Sequence, residues 1–383
     1  MFYTAQSGIW QTVWIEKVPE CYIGHLKITP LYDQSSIMIQ MEEEHGIKDI
    51  DYEVTITARK MWPVKASGKT GKPCVIMIPH MRSWSPEDPF LYDLHVRMGE
   101  DSVESYFAMR KVEVKNDKEG IPRIFLNNEP YFEKGVLDQG YWPDGLYTPP
   151  CDEAMIYDIQ KMKDLGFNMI RKHIKIEPQR WYYHCDRIGM LVWQDMPNGG
   201  SSYHHWFVTY LATLLNWMRI PVKDLHARLL SRTDVFGRQE YIDNIRDMVR
   251  TLYNHPSIVT WVPFNEGWGQ FSTKKITDFI HRLDPSRLVD SASGWFDQGC
   301  GDINSLHYYF LGLPVPESDR VLALSEFGGY SLRLQEHSAC KNIYGYKKFT
   351  TSEALTDGFS RLMENTIVPV SYTHLTLPTK LEV

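Results

Sequence analysis

The feature that most restricts how this 383-residue chain can fold is a change of period near Ile121. Beyond it, short apolar runs alternate with amphipathic stretches. Residues 131–136, 167–171, 190–194, 258–264, 287–292, 302–307 and 321–324 read as strands. Between them, Asp152 is expected to cap a helix with apolar positions at Met155, Ile156, Ile159 and Met162, stopped by Gly166. Further helices are expected over 178–188, ending at Gly189, and over 241–253. Strands alternating with helices at this spacing argue a (β/α)8 barrel, expected over 117–369. Seven strands can be counted. The eighth is expected after a helix over 353–364, where the pattern gives way to Val370-Ser371-Tyr372-Thr373-His374. Residues 370–383 read as non-native, vector- or adapter-derived sequence, so the barrel is expected to lack its last strand, with low solubility or little activity as the consequence of open strand edges.

The first third has a different texture. Short alternating runs at 21–29, 36–41, 51–58, 74–78, 91–98 and 103–114 are separated by turn-forming clusters such as Lys65-Ala66-Ser67-Gly68. This pattern predicts an immunoglobulin-like β-sandwich over 20–116, with no catalytic cluster in it. Residues 7–14, opening Ser7-Gly8-Ile9-Trp10, read as a strand without a partner, and 1–19 as the remnant of a preceding domain.

Bulk properties exclude more than they assign. A net charge of −7 gives no reason to expect nucleic acid or an anionic membrane as partner. No apolar run reaches the length of a membrane span, and no signal peptide is visible, which leaves localisation open. The six cysteines are scattered without metal spacing and read as reduced thiols. His204-His205 is read as structural, because adjacent side chains diverge and no carboxylate stands at ligand spacing; no metal ligand set is read anywhere. The 12 Trp and 22 Tyr suit the faces of sugars, and core packing accounts for them equally well.

Two stretches carry chemistry. The run ending in Phe264-Asn265-Glu266-Gly267-Trp268 places an amide and a carboxylate at the C-terminal end of a buried strand, where α/β barrels keep their chemistry. Trp261 and Trp268 are expected to desolvate Glu266 and raise its pKa; a salt bridge to a helix is the plainer reading of a lone Glu there. Leu324-Ser325-Glu326-Phe327-Gly328 repeats the pattern on strand seven. Two carboxyls opening onto one barrel face suit glycoside hydrolysis, in which one protonates the leaving oxygen and the other meets the anomeric carbon.

With these motifs on the page, the chain resembles the family 2 glycoside hydrolases over nearly its whole length up to about residue 365. The resemblance rests on Ser7-Gly8-Ile9-Trp10, Phe107-Ala108-Met109-Arg110-Lys111, Leu126-Asn127-Asn128-Glu129-Pro130, Asn168-Met169-Ile170-Arg171, Asn265-Glu266 and Ser325-Glu326-Phe327-Gly328. It implies Glu266 as general acid/base, Glu326 as nucleophile, Asn265 as the holder of the sugar 2-hydroxyl, and Arg171 as the group orienting the nucleophile. The sequence departs from the family at His173, two rather than three positions after the arginine, and this residue lines the pocket or packs. Gln194-Asp195 stands where many members have Glu, making Asp195 a candidate hydroxyl contact. Asp138 and Trp142 after strand one, Trp268 after strand four, and His307 and Tyr308 after strand six are candidate substrate contacts, with core packing the alternative for the aromatics. The implied activity is that of a retaining exo-β-glycosidase acting on terminal β-D-galactosides in a β-linked glycoside or oligosaccharide, with β-glucuronidase and β-mannosidase as alternatives. From another class, the alternative is a non-catalytic carbohydrate-binding protein or an inactive fragment. No cofactor is required; some relatives use a divalent cation such as magnesium, and a homo-oligomer is compatible with a full-length protein.

Overall fold

Alternating burial builds the first unit. In β6 (Tyr92–Met98), Tyr92, Leu94, Val96 and Met98 are buried while the residues between them face water, the period of a half-buried strand. The computed structural model describes residues 7–201, 206–218, 220, 222–225, 228–309, 317–338 and 341–369. His204-His205, Cys340 and the 370–383 tail lie outside the described residues. One antiparallel sheet contains β1 (Ile23–Leu31), β2 (Ser36–Glu43) and β5 (Cys74–Met77). The other runs in the order β4 (Val64–Lys69), β3 (Asp51–Thr57), β6 and β7 (Asp101–Phe107). Ile37, Ile39 and Ile76 from the first meet Val54, Ile56, Leu94 and Val96 from the second in a shared core. The unit is the expected sandwich.

Three details differ from the sequence reading. Lys65-Ala66-Ser67-Gly68, expected to turn, is the middle of β4, paired with β3. Gly68 is needed there because a Cβ would collide with the Tyr52 ring across the pair. The expected run 103–114 breaks into β7 and β8 (Val112–Asn116), and β8 pairs with β9 (Pro122–Leu126), which also carries β10 (Glu129–Pro130). Residues 7–14 form no strand; the segment lies irregularly across the barrel, with Trp10 edge-on to Tyr147 at 4.8 Å and its carbonyl accepting from Thr148 Oγ1 at 3.0 Å.

Parallel strands follow. β11 (Gly135–Asp138), β12 (Met169–Lys172), β13 (Leu191–Asp195), β14 (Ile258–Val262) and β15 (Leu288–Val289) pair in chain order, and β16 (Ile303–Tyr308) pairs with β17 (Val321–Phe327). α1 (Asp152–Asp164), α2 (Gln179–Ile188), α4 (Val235–Leu252) and α5 (Thr273–Leu283) lie between successive strands, and α3 (Ala212–Trp217) belongs to the long insertion before α4. β14 is buried at every position, as a strand sandwiched between barrel interior and helices must be. Val112 and Ile124 of the small β8–β10 sheet pack on Leu191, Leu288, Ile303 and Val321, which open their strands, so this sheet closes the N-terminal mouth. Beyond β17 come β18 (Tyr330–Leu332), β19 (Lys347–Phe349) and α6 (Ser352–Leu362). Seven barrel strands lie among the described residues, and no eighth is found among them.

Helix ends follow local chemistry. At the end of α1, Gly166 N–H donates to Lys163 O and Phe167 N–H to Met162 O, with Gly166 at φ +90°, a left-handed stop that suits glycine. Asp152 does not cap α1: Cys151 holds that position without a side-chain bond, and Asp152 instead pairs with Arg180 at 2.7 Å. α4 starts six residues before the expected 241 because Asp234 accepts from the N–H groups of Phe236 and Gly237. Five cysteines among the described residues are free, and no described helix is long and apolar enough to cross a membrane.

Polar clamps join the two units. Arg110, buried, donates to the carbonyls of Pro256 at 3.0 Å, Ile258 at 2.8 Å and Ser286 at 3.2 Å. Trp84 Nε1 donates to Asp186 O at 2.7 Å, and the Asp186 carboxylate gathers Tyr106 OH, His255 Nδ1 and Ser257 N–H. Arg110→Met keeps the apolar stem but takes this donor from the carbonyls of Pro256 and Ser286, while Ile258 O keeps Arg287 Nε at 2.8 Å. It should cost about 3 kcal/mol, read as a lowered urea midpoint; an unchanged midpoint would show that the clamp carries no stability.

Candidate active site

The C-terminal ends of β13, β14 and β17 converge on one guanidinium at the end of β12. Arg171 is the third residue of β12 and only 2% exposed. Its Nε and Nη2 donate to the two oxygens of Asp195, at the end of β13, at 2.9 and 3.0 Å. Nη2 also donates to Asn265 Oδ1 at 2.9 Å, and Nη1 stands 3.1 Å from Glu326 Oε1. Asn265 Nδ2 lies 3.2 Å from His173 Nε2. Asp195, Asn265, His173 and Glu326 are thus brought together by one cation.

Glu266 reaches this cluster through an unusual backbone. Its φ is +50°, a left-handed conformation that costs a side-chain-bearing residue of order 1–3 kcal/mol. The chain is held there by Glu266 N–H on Ser293 O at 3.0 Å and Ser293 N–H on Phe264 O at 2.9 Å. Glu266 Oε1 meets His307 Nδ1 at 2.9 Å and Tyr309 OH at 3.3 Å. The same Tyr309 hydroxyl donates to Glu326 Oε2. One carboxylate oxygen of Glu266 and one of Glu326 lie within 4.8 Å of each other. Gly294, at φ +88°, makes room for this arrangement: a Cβ there would strike the His307 ring.

Burial pushes the Glu326 carboxyl up, but His307, Arg171 and His173, with the Tyr309 hydroxyl, outweigh it and hold it well below the usual carboxylate range. Burial lowers His173 against the pull of Glu326. Burial also lowers Arg171, but Asp195 and Glu326 more than reverse the effect, so it stays charged. Glu266, His307 and Glu326 bring one atom each close enough for a cation. The same three groups can also hold and pass a proton.

The remaining candidates sort by strand parity. Asp138 at the end of β11 pairs with Lys172, whose Nζ donates to it at 2.6 Å and lies 4.3 Å from the Trp181 ring of α2. Neighbours on a strand point to opposite faces, so Lys172 and Asp138 lie on the helix side and Arg171 on the other; Asp138 is not brought to the glutamates. Trp142 packs beside the helix-layer core. Trp268 belongs to the turn after Glu266, its carbonyl accepting from Asn198 Nδ2 at 2.6 Å. Trp261 does not flank Glu266: its indole donates to Asp284 at 2.9 Å, among helix-layer residues. His307 of β16 and Tyr309, the residue just past its end, both reach Glu266, whereas Tyr308 between them does not. Tyr309, absent from the sequence candidates, is the tyrosine that touches both carboxylates. Counting in twos from Ser305 and His307 would have found it.

Comparison with known proteins follows from this geometry. Residues 151–321 match the family model described as glycosyl hydrolases family 2, TIM barrel domain, and residues 21–110 match that of glycosyl hydrolases family 2. A β-galactosidase of Leuconostoc mesenteroides is 29% identical over 227 residues, covering 57% of this chain and 19% of the relative. A putative β-glucuronidase of Formosa agariphila is 25% identical over 275 residues, covering 68% and 23%. The solved β-D-glucuronidase of Dictyoglomus thermophilum shares the fold at a TM-score of 0.67 and 16% identity, over 92% of this chain and 61% of that one. The chain spans 19–23% of the length of these two curated relatives. With the sandwich and the barrel both matched, over more than half of its length in all, the chain belongs to glycoside hydrolase family 2.

Proposed function

We propose that this chain carries the catalytic barrel of a retaining β-glycosidase that works by double displacement through a covalent glycosyl-enzyme. The observation that carries the reading is the pair of carboxylates within 4.8 Å of one another, one of them ion-paired to Arg171. Retaining enzymes hold their carboxyls about 5–5.5 Å apart, whereas inverting ones leave about 6.5–9.5 Å for a water. Glu326, kept ionised by Arg171, attacks the anomeric carbon while Glu266 gives its proton to the departing oxygen. Glu266 then takes a proton from water, the water oxygen bonds to the anomeric carbon, and Glu326 leaves as carboxylate. Asn265 Oδ1 accepts from Arg171, which leaves Nδ2 with a hydrogen for the sugar 2-hydroxyl beyond the one facing His173. The reaction as written uses no metal or cofactor.

For the sugar, a terminal β-D-galactoside is the first reading and a β-glucuronide the second; the relatives carry both names. Incubation with activated 2-fluoro-β-glycosides separates them. A mass gain on one sugar, located on Glu326 and absent in Glu326→Gln, is the expected outcome. No gain on any sugar by a folded chain would instead favour a carbohydrate-binding role.

The acid limb of the rate profile gives a second check. Arg171 favours the ionised form of Glu326, so Arg171→Gln raises the Glu326 pKa. The nucleophile then protonates at higher pH, and the acid limb of kcat/KM should move up by about one unit or more. A limb that stays in place would remove Arg171 from this role. Replacing Glu266 by Ala should slow glycosides with poor leaving groups by about 10²–10⁴-fold while sparing activated aryl glycosides. Equal losses on both would remove Glu266 as the acid.

A further inference from the structure

A ladder of three tyrosines leads from the two carboxylates out to solvent. Tyr309, whose hydroxyl touches both Glu266 and Glu326, stacks on Tyr346 with ring centroids 4.1 Å apart and an interplanar angle of 29°. Tyr346 and Tyr344 meet edge to face at 5.6 Å, and Tyr344 is 68% exposed. The polar residues gathered around Arg171 differ in kind: Arg171, His173, Asp195 and Asn265 are all buried. The site thus has a buried polar end and an aromatic end open to water.

We propose that Tyr344, with Tyr346 behind it, is a specificity-determining platform for the leaving group, taking an aglycone with a flat apolar face, either an aryl group or a second pyranose ring. The inference rests on the reading of Glu266 as the acid, which puts the departing group on the Glu266 side of the bond. The ladder leans to that side. Burial and then Glu326 push the Tyr309 phenol up, with Glu266 the next charge in order. In Tyr346, also pushed up, burial again comes first, but Glu266 follows and Glu326 comes behind it. The step outward from Tyr309 to Tyr346 therefore moves from the nucleophile toward the acid. The sugar that is cleaved meets buried hydrogen-bonding groups, whereas the departing group must pass into water, where an aromatic face at the rim can hold it.

An exposed tyrosine by itself is ordinary; the anchoring of this one sets it apart. Tyr346 N–H donates to the carbonyl of Gly329, just past Glu326 in the chain, at 2.9 Å. The two segments then continue as a parallel ladder, β18 against β19, with Tyr330 opposite Lys347. Gly329, at φ +64°, lies against the Tyr346 ring, where a Cβ would collide with it, and a Cβ on Gly345 would strike Ser331 Oγ. The segment that carries Tyr344 and Tyr346 is thereby pinned to the chain leaving Glu326, so the rings keep their distance from the carboxylates. A platform fixed in advance loses little freedom on binding.

The test uses the full chain and S-linked glycosides, which bind without being cleaved: methyl and phenyl 1-thio-β-D-galactopyranoside, an S-linked disaccharide with the same terminal sugar, and the matching glucuronides. In calorimetric titrations a ring-bearing ligand, phenyl or disaccharide, should bind about 2–10-fold tighter than the methyl one. Which of the two gains tells an aryl from a sugar aglycone. Tyr344→Ala should erase the ratio, and Tyr344→Phe, which keeps the ring, should retain it. No gain for either ring in the wild type, a ratio that survives in Tyr344→Ala, equal weakening of all ligands, or loss of the ratio in Tyr344→Phe as well would overturn the platform. Because these ligands bind without turnover, an unlabelled Glu326 beside an intact ratio would remove the proposed function alone. A labelled Glu326 beside an absent ratio would remove the platform alone.

Discussion

Burying a guanidinium is unfavourable unless its donors are matched, and Arg171 is matched by residues from three other strands. Asp195 on β13 takes two of its hydrogen bonds, Asn265 after β14 takes a third, and Glu326 on β17 supplies the second negative charge. Removal of one partner from a buried ion pair costs about 3–5 kcal/mol, so each acidic partner is held to its place by the others. The candidate site is in this sense a folding constraint as well as a reactive group: β17 cannot drift from β12 without leaving a charge unpaired. The same contact that fixes Glu326 in space also keeps it ionised, and orientation and reactivity come from one interaction.

Much of this was legible in the sequence because the residues around Arg171 end apolar runs of barrel-strand length. Asn265, Glu266 and Glu326 are polar interruptions where continuous burial stops, and that contrast survives without coordinates. Parity was harder to read. Trp261 looked like a wall for Glu266 because it is near in sequence, yet it faces Asp284 in the helix layer. Tyr308 ends β16 and Tyr309 follows one step beyond it, and an extended chain reverses its faces at every step. Asp290, Ser293, Ser305 and Ser325 gave no local signal at all, since their hydrogen bonds join β16, β17 and the segment after β15. In the sandwich, Lys65-Ala66-Ser67-Gly68 has turn composition, but Gly68 answers to the bulk of Tyr52 on the neighbouring strand, a requirement that no local pattern carries.

Glu266 concentrates the backbone strain of the site. Its left-handed φ is flanked by Gly267 at +72°, and across the β14–β15 gap Gly294 is at +88°. Such a turn persists only if its surroundings fix it, and here two backbone hydrogen bonds with Ser293 do so. Ser293 thereby has two tasks: its main chain holds the Glu266 turn, and its hydroxyl touches His307. The Glu266 turn and the His307 imidazole are thus both in contact with one residue.

Glu326 is supported from one side. Its strand pairs with β16 in parallel, with a register shift between Leu306 and His307 that brings Glu326 level with His307. The extra residue is Ser325, whose hydroxyl meets Ser305 and Ser293. A bulge bends a strand and re-aims its side chains, and this one aims Glu326 at Arg171 and Tyr309 while seating Ser325 inside the barrel. Among the described residues no strand pairs with the other edge of β17; α6 lies beyond it, with the Leu362 side chain 3.5 Å from where a Cβ on Gly328 would be. The position of Glu326 is therefore determined by β16 and β12, the strands that also supply His307, Arg171 and His173. The reactive groups sit on elements that hold each other, which is why the seven described strands already present a closed set of contacts around the two carboxylates.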